Sequence, residues 1–230
     1  MAISVFKADT KLSDMKDSKA AYEIIYEDDE IIVVYKKRDV LTIRTEDKKT
    51  FAHNLYHYLK TYLRKNGEDL YIAHRLDYET SGLLVFPKTG VMKQKLQTCF
   101  KNRQVLREYE CVVQEKLDIN QKFHVEQNLD ISKGNVKEVD DGGKLAITDI
   151  ECINYIQIGS ACKVAISTGR KNQIRLAIAS LGLTLLGDKR YSHNVAKRMY
   201  LNAYHLKFPE DLGLKKNDFY VDPLWIIEPK

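Results

Sequence analysis

The sequence predicts an α+β fold, with a mixed, largely antiparallel central sheet and flanking helices. Three observations carry this reading. Apolar runs of strand length dominate the 230 residues. Stretches of helical period interrupt them irregularly, without the strict strand–helix alternation of a doubly wound fold. No internal repeat, low-complexity tract or linker divides the chain. One domain over residues 21–230 is therefore expected, after a polar, Lys/Asp-rich lead-in at 1–20.

Taken in order, 21–26 and 31–35 read as two strands joined across the acidic turn Glu27-Asp28-Asp29-Glu30. Over 50–66 the period becomes helical, with Phe51, Leu55, Tyr58, Leu59, Tyr62 and Leu63 on one side and Gly67 placed to stop it. Two β-like runs follow, Leu70-Tyr71-Ile72-Ala73 and Leu83-Leu84-Val85-Phe86. Between them lies a polar turn closed by Gly82, so the segment reads as a strand, a tight loop and a strand that hold one carboxylate, Asp77. Thr89 is set to cap a helix over 90–101 with Val91, Leu96 and Phe100 on its buried side. Tyr109-Glu110-Cys111-Val112-Val113 returns to strand. Residues 118–143 are the least periodic part and end in Asp140-Asp141-Gly142-Gly143. Strands are expected again over 144–157 and 162–168. A helix follows over 172–181, with Ile174, Leu176, Ile178 and Leu181 apolar and Gly182 as its stop, and a last strand runs over 200–208.

Composition narrows the function. A net charge of +5 favours an anionic partner, with nucleic acid first. Cys99, Cys111, Cys152 and Cys162 show neither a C-x-x-C nor a zinc spacing and lie in apolar or β-like runs, which suits reduced core thiols. The amino terminus lacks an export signal and no run is long enough to cross a bilayer, so a cytoplasmic protein is expected. Phosphate-binding glycine loops, H-E-x-x-H and G-x-S-x-G are all missing from the sequence. His53 and His57 stand four apart on the 50–66 helix, but no third ligand is placed by sequence, and solvated helix-face histidines are the better reading.

His74-Arg75-Leu76-Asp77-x-x-Thr80-Ser81-Gly82-Leu83-Leu84 resembles the signature of the RluA-type family of RNA pseudouridine synthases. Further segments fall in that family's order. Ile25-Tyr26-Glu27-Asp28-Asp29-Glu30-Ile31-Ile32-Val33-Val34-Tyr35-Lys36 resembles its amino-terminal motif, and Arg107-Glu108-Tyr109 the segment that supplies an active-site tyrosine. Gly143-Lys144-x-Ala146-x-Thr148 matches a weaker motif. Gly169-Arg170-Lys171-Asn172-Gln173-Ile174-Arg175, followed by Leu186-Gly187-Asp188-x-x-Tyr191, resembles the carboxy-terminal one. The chain departs from the family pattern where Lys-Pro and then glycine are usual, having Lys36-Lys37 and Asp39, and where histidine usually precedes Gln-Ile-Arg, having Asn172.

The resemblance implies a pseudouridine synthase fold with an RNA-binding cleft and an activity that isomerises uridines of a structured loop in ribosomal or transfer RNA without metal or organic cofactor, and a monomer is expected. It implies Asp77, Tyr109 and Arg175 as catalytic residues, with Arg75, Thr80, Arg170 and Gln173 contacting the substrate. About twenty residues precede the first strand, too few for the S4 RNA-binding domain of some relatives, so the catalytic domain is expected to recognise its RNA unaided or with a partner. The alternative from another class is a catalytically inactive RNA-binding relative.

Pseudouridine formation breaks the N1–C1′ bond of uridine and rejoins the base through C5. A carboxylate can attack a sugar or base carbon, stabilise positive charge growing at C1′, or take a proton from the sugar, and the sequence leaves these routes open. Each needs Asp77 ionised, and burial alone would neutralise it, so a fixed cation is required. The resemblance gives that part to Arg175, whose planar fork suits a carboxylate. It gives Tyr109 the uracil face and a late proton transfer at C5, and gives Arg75 the space vacated when the nucleotide is turned out of its stack. Lysines and arginines at 36–38, 101–107, 163–171 and 189–198 would track phosphates where they share the cleft face.

Overall fold

The first strands form where β-branched and aromatic residues run together: β1 (Tyr22–Glu27) and β2 (Ile31–Lys36) pair antiparallel. Asp28 makes their turn, its Oδ1 accepting the Glu30 and Ile31 N–H groups, each at 2.8 Å. This computed structural model describes residues 21–132 and 135–226 and divides them into two units. One holds the residues up to Val105 with Leu206–Asp222, and the other holds Leu106–His205 with the residues from Pro223. The lead-in expected at 1–20 lies outside the described residues.

In the first unit β3 (Ser81–Pro87) pairs antiparallel with β2, placing Lys36 opposite Gly82. Both strands are buried along their whole length, which explains why they read as apolar runs without alternation. The helix expected over 50–66 is shorter: α1 (Leu55–Leu63) starts at Asn54, whose side chain accepts the His57 N–H at 3.0 Å. It ends in a 3-10 turn closed by Gly67 at φ 72°. Phe51 therefore stays outside the helix and carries the Arg44 guanidinium 4.6 Å from its ring centre. His53 and His57 are exposed.

Thr89 caps α2 (Gly90–Lys101) as expected, accepting the Met92 N–H at 3.1 Å. Its buried face is Met92, Leu96 and Cys99, while Val91 is 65 % exposed and Phe100 is half-buried. The i, i+4, i+7 spacing of 92, 96 and 99 defines the stripe, and Val91 lies off it. The run at 70–73 is not a strand. It touches β3 through the Tyr71 N–H on Pro87 O, at 2.8 Å, and then the His74 ring accepts the Val85 N–H where a paired strand would offer a carbonyl. The Asp77 segment is thus a long loop entering β3, not the first half of a hairpin.

In the second unit the strands are β4 (Leu106–Val113), β5 (Lys122–Ser132), β6 (Asn135–Glu138), β7 (Lys144–Ile156) and β8 (Gly159–Ile166). They lie side by side in the order β4-β8-β7-β5-β6, every neighbour antiparallel. Strands β5 and β6 occupy the region that looked aperiodic. Among the described side chains of β5 only Val125, Gln127 and Leu129 are buried and the residues between them are polar, so a glutamine in an inward position masks the alternation. α3 (Gln173–Ser180) covers this sheet, Leu176 packing on Leu129, Val136 and Ala146. All four cysteines are buried free thiols, as expected, with Cys111 and Cys152 each opposite Cys162. Strand β9 (Leu201–Lys207) follows and ends in the first unit, to which β10 (Asp218–Tyr220) belongs. The fold is α+β.

Glu108 on β4 lies between His205, at 2.8 Å, and Lys163, at 2.7 Å. The His205 hydrogen bond, against the opposing effect of burial and with help from Lys163, brings its carboxyl down to about 2. A carboxyl depressed on folding stabilises the protein above its unfolded pKa and loses that contribution as pH falls towards the folded one. Urea midpoints of the wild type should therefore drop more steeply than those of Glu108→Gln between about pH 4.5 and pH 2.

Candidate functional site

The Asp77 loop is built on a buried lysine. Lys36 closes the apolar run of β2 and is 0 % exposed, and its Nζ donates to Lys37 O at 3.0 Å, Val40 O at 2.8 Å and Tyr78 O at 3.1 Å. Burial draws its pKa down to about 7, opposed by the carboxylates of Asp77, Asp39 and Glu79. Three carbonyl acceptors take three N–H groups, which only the ammonium form supplies. Thr42 pins the residue before Asp77, its Oγ1 donating to Leu76 O at 2.8 Å and accepting the Leu76 N–H at 3.2 Å. The Thr80 N–H on Asp77 O, at 3.3 Å, closes the turn into β3.

The outcome is a half-buried Asp77 on a loop fixed on both sides, with Arg75 and Tyr78 exposed beside it and Thr80 buried. His74 anchors the entry, its ring 4.9 Å from that of Phe100. Arg75, Asp77 and Thr80 are thereby brought together in the first unit. Lys36→Met should destabilise the protein by about 2 kcal/mol in urea denaturation, because the Val40 and Tyr78 carbonyls lose their donor.

The second unit gathers Tyr109, Arg170, Gln173 and Arg175. Arg175 projects from the first turn of α3 into a bidentate pair with Asp188, Nε to Oδ2 at 2.8 Å and Nη2 to Oδ1 at 2.7 Å. Burial acts to raise the Asp188 pKa, but the Arg175 hydrogen bonds and charge and the N–H groups of Arg190 and Tyr191 outweigh it and hold the carboxyl below its ordinary value. Gly187 lets the chain leading into Asp188 lie close against the backbone of Arg198. It sits at φ 78°, and a Cβ there would lie 1.7 Å from Arg198 O, so no other residue fits.

Gln173 is buried and its amide is fully engaged. Oε1 accepts from Thr168 Oγ1 and the Arg170 N–H, and Nε2 donates to Ile147 O and Thr148 Oγ1. It holds the turn that presents Arg170 and Arg175. Arg170 is half-buried with its Nε on Leu145 O at 2.9 Å. Tyr109 lies on β4 opposite Val164 and is 7 % exposed.

Two members of the basic groups expected to track phosphates do something else. Lys36 is enclosed, and Arg107 is buried with its guanidinium against Gly169. Sequence reasoning gave Lys36 a phosphate-tracking rather than a loop-holding part and passed over Thr42, Asp188 and Tyr191 as functional positions. A lysine ending a wholly apolar strand was the available signal for the first, and the Gly187-Asp188 pair for the third. Among the described residues no group of three or more His, Cys, Asp or Glu side chains is arranged to hold a metal ion, and no helix is long and apolar enough to cross a membrane.

Comparison with known proteins gives a concordant result. The family model for RNA pseudouridylate synthase matches residues 30–180. The chain is 33% identical over 192 residues to the ribosomal large subunit pseudouridine synthase C of Rickettsia bellii, covering 80% of this chain and 62% of that protein. It is 32% identical over 172 residues to the ribosomal large subunit pseudouridine synthase D of Vibrio cholerae, covering 73% of this chain and 52% of that protein. The chain thus spans less than two thirds of the length of either relative. In structure it is similar to human RNA pseudouridylate synthase domain containing 4, with a TM-score of 0.66, 17% identity and 88% of each chain covered. It is also similar to domain containing 1, with a TM-score of 0.65, 21% identity and 88% and 83% covered.

Proposed function

Because the chain belongs to the RNA pseudouridylate synthase family, we propose that it isomerises uridine to pseudouridine in RNA with Asp77 as the catalytic carboxylate. The observation that carries this is the pinned loop: inside the matched span, Lys36 and Thr42 fix the backbone on either side of a half-buried aspartate. A group that must act on one atom of a sugar or base needs this kind of preorganisation. Arg75 and Tyr78 flank it on the exposed side of the loop, where a nucleotide turned out of its stack would be met.

Arg175, gripped by Asp188 through Nε and Nη2, is the cation assigned to the chemistry. Tyr109 is assigned to the uracil, and Thr80 and Arg170 to positioning the RNA. Gln173, with its amide engaged inside the protein, serves the substrate through the turn it holds. The names of the relatives favour large-subunit ribosomal RNA over transfer RNA as substrate, and we place the protein in the cytoplasm as a monomer. The test is a pseudouridine map of total RNA from cells with and without the gene. A large-subunit ribosomal site that disappears with the gene supports the proposal, a transfer RNA site corrects the substrate, and no change at any site rejects the activity.

A further inference from the structure

Beyond the pair it makes with Asp188, Arg175 is held by an aromatic face. The Tyr191 ring centre lies 5.2 Å from the Arg175 guanidinium carbon and 5.4 Å from that of Arg190. The ring is itself fixed by its hydroxyl, which accepts from Asn172 Nδ2 at 2.8 Å and donates to Val136 O at 3.4 Å. Asn172 is buried, immediately precedes α3 and has φ 56°, a conformation that asparagine and histidine adopt more readily than most residues. Asp188 closes the circle: the Oδ1 that grips Arg175 also accepts the Arg190 N–H at 2.9 Å and the Tyr191 N–H at 3.2 Å. One carboxylate therefore sets both the edge of the guanidinium and the position of the ring that lies over it.

We infer that Tyr191, oriented by Asn172, is a positioning residue for the reaction: it fixes the plane of the Arg175 guanidinium that Asp188 grips along one edge. This rests on the role proposed above for Arg175. A carboxylate grip alone fixes the guanidinium in its own plane but leaves the plane free to hinge about the pair, and the ring removes that freedom. The contact uses the ring more than the hydroxyl, so the ring is the part whose loss should matter most.

The experiment measures kcat and KM for the full chain on total RNA purified from cells lacking the gene, below the melting temperature of every variant. Tyr191→Leu should lower kcat by about tenfold or more with KM within about twofold. Tyr191→Phe keeps the ring and should lose only about two- to fivefold. Asn172→Ala should resemble Tyr191→Phe, and Asn172→His, which tolerates the backbone and offers a ring N–H, should recover at least half of that loss. Arg175→Lys combined with Tyr191→Leu should be no slower than Arg175→Lys alone, since the ring acts through the guanidinium. Unchanged kcat in Tyr191→Leu, or losses that multiply in the double variant, would overturn the positioning role while Arg175→Lys remains impaired. Wild-type turnover by Arg175→Lys would instead overturn the role of Arg175 itself, and the inference with it.

Discussion

Replacing Asp77 by alanine is expected to reduce pseudouridine formation by at least about a thousandfold while leaving the fold intact. The fold should survive because the backbone of the loop has holds of its own. Its backbone is held by Thr42 at Leu76, by Lys36 at Tyr78 and by the Thr80 N–H at Asp77 O, and none of these uses the Asp77 side chain. The chemistry should not survive, because each route open to the reaction needs an anion at this point and an alanine methyl supplies none. Asp77→Asn sharpens the test by keeping shape and hydrogen-bonding capacity and removing only the charge. The readout is loss of hydrogen from C5 of the uridine, measured as tritium release from labelled RNA, beside an RNA-binding measurement. Binding within a few-fold of wild type with turnover lost places the defect in the chemical step. Equal turnover by wild type and variant would remove Asp77 from the mechanism.

How much of this was legible in the sequence depended on whether a position's cause was local. The Thr89 and Gly67 helix ends were readable because capping and left-handed glycine are decided within a turn of chain. The departures from the family pattern at Asp39 and Asn172 are explained by backbone: both adopt positive φ, 61° and 56°, where short polar side chains are tolerated in place of glycine or histidine. The errors came from tertiary substitution of one partner for another. A β-like run at 70–73 failed to become a strand because an imidazole took the N–H that a strand would have used. Lys36 was counted among surface cations because nothing local announces that three carbonyls, one of them 42 residues away, will enclose it. Arg175 is expected as the cation for Asp77, whereas the carboxylate that grips it in bidentate fashion is Asp188, a residue of a motif quoted only for its spacing.

That pair makes Arg175→Ala the substitution with the largest expected effect on stability. Asp188 is 1 % exposed, and removing its cation strands a buried carboxylate that retains only backbone N–H donors, at a cost of about 3–5 kcal/mol in urea denaturation. Activity would fall as well, but in that variant alone a catalytic loss and partial unfolding are confounded. The two separate in the combination of Arg175→Met with Asp188→Asn. The neutral pair carries no buried charge, methionine fills the space of the arginine stem, and the asparagine oxygen still accepts the Arg190 and Tyr191 N–H groups. Stability should return to within about 1–2 kcal/mol of wild type, whereas turnover should stay as low as in Arg175→Ala. A stable double variant with restored turnover would make the pair purely structural. A stable double variant without turnover assigns Arg175 to the chemistry, since the fold is then intact while the guanidinium charge is gone.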